Sequence, residues 1–233
     1  KIVMSKIILI SGYMCDERIW KPTIEVFKNN YDLIIPSLKK YKTVKEAALG
    51  IKKKLDINTS IISFSMGGFI ALELAIKYPE YIDKLVIVSS NARSISKTRQ
   101  KELYKYLIDS NQKNFANLFY KTHFNLSFSK KNLENEKYQN DYYSMTKGLG
   151  YQTFKNQTNL ILNRPKQLQN LFKIKSKTLI INSANDKLSS MTMSVELKKK
   201  IKNSKIKTIK NSSHFVMIEK PKVFNKALLD FIK

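Results

Sequence analysis

The run Ile61-Ile62-Ser63-Phe64-Ser65-Met66-Gly67-Gly68, followed by Phe69-Ile70-Ala71-Leu72, decides how the rest of the chain is read. An apolar, strand-like stretch passes through Ser-x-Ser-x-Gly-Gly directly into an apolar stretch with helical spacing. This is close to the G-x-S-x-G elbow, a sharp strand-to-helix turn that lifts a serine hydroxyl clear of a sheet. The positions two before and two after the serine have to be small, because strand and helix pack tightly there. Ser63 takes the first of these places and Gly67 the second. At such a turn Ser65 would meet substrate while sitting at a helix N-terminus, beside unpaired backbone N–H groups. Alone, the string also fits an ordinary tight turn.

Working outward from the elbow, short apolar runs alternate with amphipathic stretches on both sides. Strands are expected at residues 5–10, 31–35, 59–64, 84–89, 178–182 and 205–209, several as unbroken Ile/Leu/Val runs of the kind buried on both faces. Apolar residues recur at helical spacing over 43–55, 67–78, 191–201 and 221–232, with Pro79 stopping the second helix and Pro221 opening the last. The fold class expected is α/β, a mostly parallel sheet flanked by helices. The alternation breaks over 91–175, a polar and aromatic stretch that keeps enough Leu, Phe and Tyr to bury a face. It reads as a helical insertion, and no Gly/Ser- or Pro-rich linker divides the chain. There are no internal repeats.

Two further signals follow the elbow in chain order. Asp186 comes just after the strand at 178–182, in Ser183-Ala184-Asn185-Asp186-Lys187. His214, one of only two histidines, lies in Asn211-Ser212-Ser213-His214-Phe215, between the last strand and the last helix. Ser65, Asp186 and His214 thus appear in the order of a nucleophile, an orienting carboxylate and a base on this kind of sheet. The chemistry needs a base titrating near neutrality to take the serine proton, and a carboxylate to hold its tautomer. Asn91, after the preceding strand, cannot supply that carboxylate. After the first strand, Ile10-Ser11-Gly12-Tyr13 offers a second donor, so the oxyanion hole is expected from the backbone N–H groups of Tyr13 and Met66, with the Tyr13 ring walling the substrate pocket.

From first strand to last helix the chain resembles the α/β-hydrolase superfamily of serine esterases. Gly12-Tyr13-Met14-Cys15-Asp16-Glu17-Arg18-Ile19-Trp20, Asn91-Ala92-Arg93, and His214 with Glu219-Lys220-Pro221 are similar to the group of pimeloyl-ACP methyl ester carboxylesterases and 3-oxoadipate enol-lactonases. Three positions depart from that group: Ser11 where many members carry histidine, Ser63 in the elbow's first glycine place, and Ser213 before the histidine. None removes a catalytic group. The resemblance implies a hydrolase core over 1–90 and 176–233, with 91–175 as a helical cap that sets specificity. It implies an acyl pocket among the cap aromatics Phe115, Phe119, Tyr120, Phe124 and Phe128, with Phe119 and Phe124 as substrate contacts. His123 is read as a pocket or surface residue outside the triad. Arg164 could hold a carboxylate or phosphate, or lie on the surface.

Composition bounds the partners. With 43 Lys and Arg against 18 Asp and Glu, the formal net charge is +25, which raises nucleic acid or a membrane surface as partners. Only Arg18, Arg93, Arg99 and Arg164 are arginine, the residue favoured by readers of phosphates and base edges. The lysines are spread along the whole chain, as on a solvated surface. No nucleic-acid or membrane partner is expected, and any functional use of the charge would be steering of an anionic or acyl-carrier-linked ester. Lys121, Lys147 and Lys155, with Arg164, are the candidates for a basic pocket mouth. Cys15 is the single cysteine, which excludes an internal disulfide and fits a reducing, cytoplasmic setting. The N-terminal apolar stretch reads as a strand and not a signal peptide, and Met4 is one candidate start. There is no metal-ligand spacing and no P-loop, and Gly148-Leu149-Gly150 follows no strand, so no cofactor is expected. The function expected is hydrolysis of a carboxylic ester, with thioesters and lactones as variants of the same acyl chemistry. The alternatives are a C–C hydrolase or lyase on the same triad, or a non-catalytic small-molecule binding protein of this fold.

Overall fold

The computed structural model of the chain describes residues 4–233; Lys1 to Val3, on which a start at Met4 turns, lie outside the described residues. Six strands form one sheet: β1 (Ser5–Ile10), β2 (Tyr31–Ile34), β3 (Thr59–Phe64), β4 (Ile82–Val88), β5 (Lys177–Ser183) and β6 (Ser204–Ile209). Their order is β2-β1-β3-β4-β5-β6, and every neighbouring pair is parallel. A parallel sheet must be covered on both faces, and the side-chain alternation along each strand divides its apolar residues accordingly. Ile7, Leu9, Ile62, Phe64, Val86 and Val88 join Trp20, Phe27 and Phe224 on one side. There the sheet is covered by α1 (Lys21–Phe27) and α10 (Pro221–Ile232). Ile8, Ile10, Ile61, Leu85 and Ile87 face the other way, against α2 (Val44–Lys52), α3 (Met66–Lys77) and α8 (Met191–Lys200).

Local chemistry fixes the helix starts. The Thr43 hydroxyl accepts from Glu46 N at 3.1 Å while the Glu46 carboxylate accepts from Lys42 N at 2.9 Å, an arrangement close to a capping box. Pro22 and Pro221 stand in the first turns of α1 and α10, where a missing N–H costs nothing.

Between β4 and β5 lie four further helices: α4 (Lys97–Asp109), α5 (Phe115–Ser127), α6 (Glu136–Leu149) and α7 (Tyr151–Leu162). Ser96 and Asn135 cap α4 and α6 through their side-chain oxygens. Gly150 joins α6 to α7 at φ 86°, a conformation that L side chains rarely adopt. Phe115, Phe119, Phe124, Phe128, Tyr142 and Phe154 are buried between these helices and the sheet. A one-turn helix, α9 (Val216–Glu219), precedes α10.

The chain leaves β1 for β2 on one side and reaches β3 on the other, so the strand order reverses between β1 and β3. Such a switch point opens a crevice at the carboxyl ends of the strands. Gly12 and Ser65 follow those two strand ends.

Candidate active site

Ser65 directly follows β3 with φ 51° and ψ −115°, a strained conformation for a residue with a side chain. Its N–H still continues the ladder to Val88 O at 2.9 Å, and its carbonyl accepts from Gly68 N at 2.9 Å, so strand and helix are joined through this single residue. The turn needs close packing. A Cβ at Gly67 would sit 2.4 Å from Ile10 O and 2.7 Å from Ser11 O, both backbone atoms. Ser63 is tolerated in the elbow's first small place because its hydroxyl donates to Val86 O at 2.9 Å.

The loops after β5 and β6 bring Asp186 and His214 to this serine. His214 Nε2 lies 2.9 Å from Ser65 Oγ, and Nδ1 lies 2.9 and 3.0 Å from the two Asp186 oxygens. With Nδ1–H donating to Asp186, Nε2 is left as the acceptor for the serine proton. Both His214 and Asp186 are buried. Burial alone would raise the Asp186 pKa. The facing imidazole, together with the N–H groups of Ser189 and Leu188 at 2.9 and 2.8 Å, outweighs it and holds the carboxyl below its usual range. This is the nucleophile–base–orienter geometry of acyl transfer.

Tyr13 and Met66 flank the serine from the β1 loop and the first turn of α3. None of the hydrogen bonds of the described residues uses either backbone N–H. The β1 loop is tied from two directions. Ser11 Oγ accepts from the Trp20 indole at 3.0 Å. Met14, at φ 52°, donates its N–H to Gln157 Oε1 at 2.8 Å, and Tyr13 OH meets Thr158 Oγ1 at 2.5 Å. Thr158 spends its own hydrogen on Phe154 O, so the phenol is the donor.

Ser65 and His214 open onto a cavity of about 420 Å³, within the range of small-molecule sites. Tyr13 and Phe119 line it, as expected. Phe124 does not: its ring stacks on Tyr120 at 4.9 Å and packs on Phe128 at 5.1 Å. Phe119 and His123 are four residues apart and share one face of α5, whereas Phe124 turns about 140° around the helix from Phe119. Phe115, Tyr120 and Phe128 are likewise absent from the lining. So are Lys121, Lys147 and Lys155, which leaves Arg164 as the one expected group among the charged basic residues at the cavity. Those residues are Arg93, Arg99, Arg164 and the exposed Lys187.

His123 does line the cavity. Its Nε2 is 2.8 Å from Arg99 Nη2, which can only donate, so the ring proton sits on Nδ1 and goes to Thr122 Oγ1 at 2.8 Å. Burial first, and Arg99 second, pull this imidazole down to about 3, keeping it neutral.

Glu219 is a buried acid that sequence reading noted only as part of a resemblance. Its carboxylate accepts from Ser213 N at 2.5 Å, from Ser129 N at 2.8 Å and from Asn132 Nδ2 at 2.7 Å. It therefore pins the residue before His214 to the loop after α5. Gln157 was missed altogether, since nothing local distinguishes a glutamine whose partner is 143 residues away. Among the described residues no group of three or more His, Cys, Asp or Glu could hold a metal ion, and no helix is long and apolar enough to cross a membrane.

Over nearly its whole length the chain is similar to known proteins. The chain is 26% identical to the pimeloyl-[acyl-carrier protein] methyl ester esterase of Wigglesworthia glossinidia brevipalpis, over 97% of this chain and 93% of that one. It is 23% identical to the uncharacterized hydrolase YugF of Bacillus subtilis (strain 168), over 97% and 89%. A thermophilic esterase from Thermogutta terrifontis superposes with TM-score 0.90 at 16% identity, covering 99% of this chain and 90% of that one. The enol-lactonase from Burkholderia xenovorans LB400 gives 0.86 at 17%, covering 98% and 91%. Residues 43–221, more than half of the chain, match the alpha/beta hydrolase fold family, and the chain belongs to that family.

Proposed function

We propose that this protein is a serine hydrolase of carboxylic esters, with Ser65, His214 and Asp186 as its catalytic triad. The observation that carries the reading is the hydrogen-bonded chain from Ser65 Oγ through His214 to the Asp186 carboxylate, at the wall of a cavity. His214 Nε2 takes the serine proton as Oγ attacks the ester carbonyl. The tetrahedral oxyanion is held by the N–H groups of Tyr13 and Met66, which have no competing partner among the described residues. The imidazolium then protonates the departing alcohol. A water enters, gives its proton to His214 and attacks the acyl-enzyme, and Ser65 recovers its proton as the acid leaves. Helices α4 to α7 act as a cap over this site, with Phe119 and Tyr13 as the apolar wall for the acyl group.

Reaction with a fluorophosphonate probe and turnover of p-nitrophenyl esters of increasing acyl length test the reading. Ser65→Ala and His214→Ala should each cost about 10⁴-fold or more in kcat, because triad members act as a unit. Asp186→Asn should cost less, about several hundred-fold or more, through loss of imidazole orientation. Wild-type turnover in Ser65→Ala would rule the nucleophile out. One relative's name specifies a pimeloyl-[acyl-carrier protein] methyl ester, so an acyl-carrier-linked methyl ester is the extended substrate to test first.

A further inference from the structure

The four arginines of the chain are not equivalent. Arg18 pairs with Asp16 at 2.7 Å, Arg93 with Glu196 at 2.5 Å, and Arg99 with Glu102 at 2.9 Å. Arg164 has no acidic partner among the described residues. Its Nε donates to Arg93 O at 3.0 Å, Nη2 reaches Ser94 O only at 3.5 Å, and Nη1 makes no hydrogen bond. One face of the guanidinium lies 4.6 Å over the Phe69 ring. Both Arg164 and Phe69 line the cavity that holds Ser65.

The charges at that cavity can be balanced by inspection. Arg93 and Arg99 are each answered by a glutamate, and Lys187 is exposed to water. Arg164 alone is half-buried and unanswered. Desolvation, with the like charge of Arg99 behind it, pulls it down to about 10. Since an arginine does not give up its proton in a protein, that penalty stays in the fold until an anion offsets it. The charge of Arg164 has no acidic partner of its own among the described residues, and the guanidinium presents a planar fork with a free Nη1. A carboxylate matches both.

We infer that Arg164 is a substrate-binding residue that takes a carboxylate on the ester itself, so that the preferred substrates are half-esters of dicarboxylic acids. The inference rests on the proposed hydrolase reading for its kinetic arm and is independent of it for its binding arm. Arg99 supports the site as a second positive charge, held in place by Glu102 and by the neutral His123.

The kinetic arm compares monomethyl and dimethyl esters of succinate, glutarate, adipate and suberate at low salt, well below KM. The wild-type protein should prefer the half-ester at one chain length by at least about tenfold in kcat/KM, a preference that added salt erodes. Arg164→Gln should lower the half-ester to diester ratio by about 10- to 100-fold, as expected for a lost charge-assisted pair. Arg164→Lys should restore part of it. The binding arm measures the free dicarboxylates by calorimetry on Ser65→Ala, with and without Arg164→Gln; only the protein that keeps Arg164 should bind. No wild-type preference, an unchanged ratio in a folded Arg164→Gln protein, or equal dicarboxylate binding with and without Arg164 would each overturn the inference. If Arg164→Gln does not fold, the wild-type preference and its salt response still decide. Absence of any ester turnover would instead sink the hydrolase reading, leaving the binding arm to judge Arg164.

Discussion

Burial and the Arg99 guanidinium hold the His123 imidazole at about 3, against about 6.5 in an unfolded chain. Between those values the unfolded state binds the extra proton. The contribution of His123 to stability is therefore complete above about pH 6.5 and is lost as pH falls toward 3. Asp186, also depressed, loses its share in the same direction at the acid end. His123→Gln keeps an acceptor for Arg99 without a titrating ring, so its Tm should fall by several degrees less than wild type between about pH 7 and pH 4. Parallel Tm curves would show that this histidine is not the acid-sensitive group. At this scale the sequence was most legible where position relative to a strand decides the role: Ser65, Asp186 and His214 each follow a strand end, and all three meet. Phe124 was misjudged because its placement depends on the rotational phase of α5. Arg164 was left between pocket and surface because only the fold brings it to Arg93 O.

Among the elements, the junction of β3 and α3 has the least room. An alanine at position 67 would gain a little helix propensity but drive its Cβ into two carbonyl oxygens of the β1 end. Gly67→Ala should cost about 2 kcal/mol or more, read as a lower denaturant midpoint at unchanged m. Activity should fall further than stability, since relief of the clash displaces Ser65. An unchanged midpoint would mean that β1 and α3 are less tightly apposed than described. The six strands were found within two residues of expectation at either end, β1, β3, β4 and β5 because strands buried on both faces are apolar runs, whereas the edge strands β2 and β6 are partly exposed. The sheet proved wholly parallel. Helix α1 went unseen: seven residues opening on Lys21-Pro22 are too few to show a period. Residues 91–175 were recognised as helical yet not divided, because polar helices packed on aromatics give no break except Gly150.

Across the whole molecule, 43 basic side chains outnumber 18 acidic ones, and the pairs Lys28–Glu25, Lys137–Asp141 and Lys226–Asp230 are exposed on both sides, where each contributes little. Self-repulsion then works against the compact state, and Tm should rise by a few degrees between about 0.02 and 0.5 M sodium chloride as charges are screened. A flat or falling Tm would mean that local pairs already offset the excess. The charge is thus spread well beyond the cavity, whose own cations are Arg93, Arg99, Arg164 and Lys187. The bonds from Gln157 and Thr158 to the loop at Tyr13 and Met14 bear on how such a chain can be re-engineered. An exchange of the segment between β4 and β5 for that of a relative would strand the buried Met14 N–H and the Tyr13 hydroxyl unless the graft carried an amide and a hydroxyl in register. The interchangeable part is therefore not residues 91–175 alone but those residues together with the β1 loop, two pieces of sequence that have to be transplanted as one.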